Sequence, residues 1–176
     1  TRALEGNTTA SNNVAVGHQA LKANTTGTQN VAVGARALDA NTTASSNLAV
    51  GYAALTNNTT GSVNTAVGTA ALEQNTTGAR NLAVGYQALK SVATSNDNTG
   101  VGYEALEFCT GSQNTAVGSG ALDANTSGQD NTAVGYKAGT TVSTGASNTF
   151  VGSEAGHDNT GNSNTGIGKR ALFENT

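Results

Sequence analysis

Apolar residues along this chain recur in short alternating bursts, each followed by a glycine and a polar stretch. Residues 64 to 68 show the burst plainly: Asn64-Thr65-Ala66-Val67-Gly68. Alternation puts the residue after Asn and the Val on one face and Ala on the other, the period of a short β-strand. Its Asn stands at 13, 30, 47, 64, 81, 98, 114, 131, 148 and 164, so the spacing is 17 residues except for two intervals of 16. The Gly four residues on, from Gly17 to Gly168, is present in every unit, and the residue before it is Val except at Ile167. Glycine there permits a bend or a positive φ that a Cβ would resist.

Two further landmarks complete the unit. Ala-Leu places Leu4, Leu21, Leu38, Leu55, Leu72, Leu89, Leu106, Leu122 and Leu172 in one column, with Gly139 and Gly156 taking the position in two late units. Asn-Thr-Thr or a relative follows at Asn7, Asn24, Asn41, Asn58, Asn75 and Asn125, and glycines such as Gly27, Gly61, Gly78 and Gly128 close the turn. The pattern predicts two short extended pieces and two turns per coil. A unit this small cannot bury its own Val and Leu, whereas stacking equivalent coils builds a continuous apolar column and pairs each strand with the next. The expectation is therefore an all-β, parallel β-solenoid (β-roll) of about ten coils, one tandem-repeat domain over residues 1–176. At the ~4.8 Å strand spacing it forms a rod of roughly 50 Å.

Stacking turns invariant positions into ladders. Asn13, Asn30, Asn47, Asn64, Asn81, Asn98, Asn114, Asn131, Asn148 and Asn164 are expected to lie above one another and exchange amide hydrogen bonds, or to mark turns, where Asn is common for its own reasons. The 16-residue units have lost one residue at Cys109-Thr110-Gly111 and at Asn159-Thr160-Gly161, at a turn, where solenoids tolerate deletion. Distinct capping sequences are missing at both ends, and the chain reads as a fragment of a longer array.

Composition narrows the function classes. Hydrophobic residues make up 36%, aromatic ones 4% and charged ones 11%, with a net charge of −3 and no run of Lys or Arg. Neither a nucleic-acid interface nor a polybasic membrane contact fits that distribution. No stretch approaches the ~20 apolar residues of a membrane span. Cys109 is the single cysteine, which excludes an internal disulfide framework and permits an extracellular setting. His18 and His157 fall eight coils apart, and Glu73, Glu104, Glu107 and Asp123 scatter along a solvated face, so no metal site, catalytic group or cofactor is expected and the chain is not read as an enzyme. Cys109 sits in the Asn column and reads as a substituted ladder residue with no base beside it.

Candidate contacts lie at variable or repeated surface positions. The residue after the invariant Gly changes between coils, and four units place Tyr52, Tyr86, Tyr103 and Tyr136 there; an exposed Tyr row offers rigid amphipathic contact to a receptor or glycan, or packs along the rod or between chains. The pairs Thr25/Thr26, Thr42/Thr43, Thr59/Thr60 and Thr76/Thr77 form a second row that could order water and bind ice, interrupted at Ala93 and at the deletions near Cys109 and Asn159. The Ala stripe at 15, 32, 49, 66, 83, 116 and 133 either lines an axis between chains while Val fills the coil, or fits a narrow interior while Val packs outward.

The pentapeptide Asn-Thr-Ala-Val-Gly at 64–68, 114–118 and 131–135 resembles the head repeats of trimeric autotransporter adhesins, and the longer form Asn81-Leu82-Ala83-Val84-Gly85-Tyr86-Gln87-Ala88-Leu89 looks like repeats of bacterial and phage tail-fibre proteins. The resemblance covers essentially the whole chain. It implies a left-handed β-roll in a homotrimer and an extracellular fibre or adhesin segment, on a cell surface, a secreted fibre or a virion, that presents a surface to a cell-surface glycan or protein receptor. It leaves end-to-end continuation of the fibre open. An ice-binding solenoid is the alternative.

Overall fold

The computed structural model describes residues 2–174. Its strands are β1 (Val14–Val16), β2 (Val31–Val33), β3 (Leu48–Val50), β4 (Thr65–Val67), β5 (Leu82–Val84), β6 (Thr99–Val101), β7 (Thr115–Val117), β8 (Thr132–Val134), β9 (Thr149–Val151) and β10 (Thr165–Ile167). They form one ten-stranded parallel sheet in chain order. Each repeat pairs with the next in register, so Ala49 faces Ala66 and Ala66 faces Ala83. This is the β-solenoid that the 17-residue spacing predicts.

Burial decides between the two placements of Ala and Val. Ala32, Ala49, Ala66, Ala83, Ala116 and Ala133 are fully buried, whereas Val33, Val117 and Val134 stay 36–38% exposed, so Ala fills the coil and Val points outward. The interior is narrow: the strand Ala column, the Ala-Leu column and a column of Asn and Val side chains fill it. Each buried Leu contributes about 2 kcal/mol.

The Asn-Thr-Thr segment is not a second strand. Its backbone still bonds from coil to coil, as in Thr25 N–H to Thr42 O (2.9 Å) and Thr59 N–H to Thr76 O (2.9 Å), but as bends with no regular ladder. Left-handed backbone explains the tight path. Arg36, Leu38 and Ser46 in one coil have φ of 61°, 52° and 61°, and the same three positions repeat along the rod with ordinary L-residues. Such conformations cost about 1–2 kcal/mol each. Here each turns its N–H along the rod axis, and Arg36, Leu38 and Ser46 donate to His18, Ala54 and Thr28 carbonyls in adjacent coils.

The two Asn columns do different work, which refines the expected amide ladder. A strand-entry Asn accepts at Oδ1 from the backbone N–H of the next one, as Asn47 accepts from Asn64 (2.9 Å), and donates Nδ2 to the carbonyl 14 residues on, Asn47 to Gly61 (2.9 Å). One side chain thus clasps its own coil shut and ties it to its neighbour. Amide-to-amide exchange runs mainly in the other column, through Asn24, Asn41, Asn58 and Asn75 at 2.7–3.1 Å. That ladder stops at Val92, and Asn75 Oδ1 is left buried without a partner.

The short repeats leave the sheet untouched: Thr99 pairs with Thr115 and Thr149 with Thr165, as across any 17-residue interval. The strand Ala column is broken at Gly100, Phe150 and Gly166, and of these only Phe150 enlarges the side chain. Phe150, fully buried, replaces the strand Ala, and the two glycines in the Leu column, Gly139 and Gly156, lie against its ring. A Cβ on Gly139 would stand 3.1 Å from Phe150 Cδ2, and one on Gly156 would fall on the ring itself.

Candidate contact faces

The outer face of the sheet carries two rows. One is Val14, Val31, Leu48, Thr65, Leu82, Thr99, Thr115, Thr132, Thr149 and Thr165; the other is the Val row ending at Ile167. None of these positions is charged. β-Branched residues, stiff at χ1, dominate both rows, so the face is regular as well as uncharged, one row Val or Ile throughout and the other passing from Val and Leu to Thr. With side chains it spans roughly 500 Å².

Beside the Val row, separated by the invariant Gly, runs the Tyr column. Tyr52, Tyr86, Tyr103 and Tyr136 are 44–55% exposed. Tyr86 and Tyr103, on adjacent coils, stack with centroids 5.3 Å apart and planes 12° off parallel, so the pair is exposed and also packs along the rod. Lys137 lies over the Tyr136 ring at 5.6 Å. The glycine between the rows is obligatory. Its φ is near 137° in most coils, and a Cβ on Gly68 would overlap the carbonyl of Gly85 in the next coil.

The Thr pairs separate into unlike columns. Thr25, Thr42, Thr59 and Thr76 donate their hydroxyls to the carbonyls of Thr42, Thr59, Thr76 and Ala93 at 3.0–3.1 Å. Thr26, Thr43, Thr60 and Thr77 are exposed, and Thr9 and Thr94 extend their column at either end, so Ala93 interrupts the inner column only. Reading the pairs as one row hid this division. The spacing of 17 from Thr77 to Thr94 carried the signal.

Titratable groups form no common centre. His18 is exposed after β1, while His157 follows β9, pairs with Asp158 (2.8 Å) and stacks on Phe173 (5.0 Å). Arg80 and Asp97, exposed on adjacent coils, form a bidentate pair (2.6 and 2.8 Å), and hydrogen bonding to Arg80 holds the Asp97 carboxyl below its usual range. Glu107 and Asp123 sit in the column after Leu; burial raises both, Glu104 adding to each, against Lys90 at 3.7 Å from Glu107. Glu73 lies lower in that column, half-buried. Cys109 is fully buried in the Asn column, and burial pushes its thiol up to about 11, the chemistry of a core residue. Among the described residues no three His, Cys, Asp or Glu side chains gather to hold a metal ion, and no helix is long and apolar enough to cross a membrane.

Comparison with protein-family models, curated proteins and solved structures returns no match to this chain.

Proposed function

We propose that the chain is a segment of an extracellular fibre or adhesin, a rod that associates side by side as a homotrimer and holds a contact surface toward a cell-surface glycan or protein receptor. The observation that carries the reading is the outer sheet face, ten strands long with no charge at any outward position. A lone rod exposes that strip to water, whereas two further copies cover it at little polar cost. Uniform coil spacing suits such packing, because every coil offers the same outline to a partner. The Tyr column borders the strip and supplies the attachment contacts, Tyr52 and Tyr136 singly and Tyr86 with Tyr103 as a stacked pair.

Sedimentation velocity tests the association. One chain is 17.3 kDa, so a trimer sediments as about 52 kDa, three times that mass. Val84→Lys with Val101→Lys puts two charges on the outer face without touching the Ala-Leu core, and is expected to return the protein to monomer with an unchanged circular dichroism spectrum. A parent chain that is monodisperse and monomeric at tens of micromolar removes the proposal.

A further inference from the structure

A second face of the rod, along the Asn-Thr-Thr segments, has the construction of a water-ordering surface. Three columns run side by side there. Inner hydroxyls of Thr25, Thr42, Thr59 and Thr76 are fixed by donation to the next coil's carbonyl, which leaves their lone pairs aimed in one repeated direction. The exposed column Thr9, Thr26, Thr43, Thr60, Thr77 and Thr94 adds hydroxyl and methyl groups at the coil repeat. In the third column Ser45 Oγ accepts the Thr28 N–H (3.0 Å) and Ser62 Oγ accepts the Ser45 N–H (3.1 Å), so these hydroxyls are held too.

Charge is absent from residues 7–13, 24–30, 41–47 and 58–64, four successive passes of the chain across this face, and first enters with Arg80 in the fifth, where it is paired to Asp97 of the sixth. Charged groups bind water strongly in radial shells. Fixed hydroxyls spaced by methyls instead favour a layer with the periodicity of the surface itself. Because two columns are already immobile, little rotamer freedom remains to be lost when such a layer forms. A crystalline lattice of water is the ligand that matches: extended, periodic, uncharged and bonded through hydroxyl-like donors and acceptors.

We infer that this hydroxyl face binds ice. The inference stands apart from the fibre reading, since it uses a different face and requires no partner chain. Thermal hysteresis and inhibition of ice recrystallisation measure it directly on the 176-residue chain. The parent should show both activities, and Thr43→Tyr with Thr60→Tyr, two bulky rings on the exposed column, should abolish them with circular dichroism unchanged. Val84→Lys with Val101→Lys should leave them intact. A parent without hysteresis, a Thr43/Thr60 variant equal to the parent, or activity lost only with the sheet-face lysines would each overturn the assignment.

Discussion

Replacing Phe150 by Ala removes a fully buried ring from a coil whose two neighbouring Leu positions are glycines. Nothing else in the interior can fill that space, so the loss should sit in the usual range for a buried Phe, about 3–5 kcal/mol. Gly156→Leu alone drives a side chain into the ring and should cost about 3 kcal/mol, the upper end for overpacking. Backbone strain adds little, because Gly156 has φ 62° and Leu106 and Leu122 already hold 55° and 50° at the same position. Additivity then predicts a loss of about 7 kcal/mol for the pair. The structure predicts the reverse: Phe150→Ala with Gly139→Leu and Gly156→Leu rebuilds the ordinary Ala-and-Leu coil and should return to within about 2 kcal/mol of the parent. Urea unfolding followed by circular dichroism on the parent, singles, double and triple gives the cycle. If the triple variant is no more stable than Phe150→Ala alone, the view that one ring occupies two leucine sites is wrong.

Two other consequences are open to measurement. Gly68→Ala and Gly168→Ala alter the same backbone position, but a Cβ at Gly68 meets the Gly85 carbonyl and one at Gly168 meets nothing among the described residues; the first should lower the melting temperature severely and the second by the ~1 kcal/mol of a strained φ. Asp123 is raised chiefly by burial and has an unpartnered buried oxygen, so the contribution it makes to stability is full below its unfolded pKa and is lost as pH rises through the folded one. Melting curves at pH 3 and pH 7 should show Asp123→Asn gaining stability at the higher pH only, and an equal gain at both would contradict the assignment.

Strand positions, coil number, the glycine row and the exposed Tyr row were all legible in the sequence, because each follows from a period that survives at every repeat. The inward face was not, since Ala and Val alternate equally well either way round; only the narrowness of the interior selects Ala32 and its equivalents. Left-handed residues such as Arg36 and Leu38 left only a sparse signal, because the sequence fills most of those positions with side chains that seldom adopt a positive φ and puts glycine there only at Gly120, Gly139 and Gly156. Phe150 did leave one. It interrupts the Ala column in the unit that also carries Gly156 in place of Leu, and the paired exceptions point to a shared volume. The coil clasp of Asn47 and its equivalents was half legible: the column showed that Asn is required, but the closing partner 14 residues away lies in a loosely repeated position occupied by Gly61, Ala44 or Ser95.

Because each strand pairs only with the strands of the adjacent coils, a tensile load along the axis meets the rod one coil at a time. Peeling a 17-residue coil frees about 58 Å of extended chain and removes about 5 Å of rod, a net gain of roughly 53 Å per event. The shortened repeats at Cys109 and Asn159 give up about one residue's length less. A chain built this way lengthens in steps under force instead of breaking, and each step is set by the repeat length and not by the total size of the molecule.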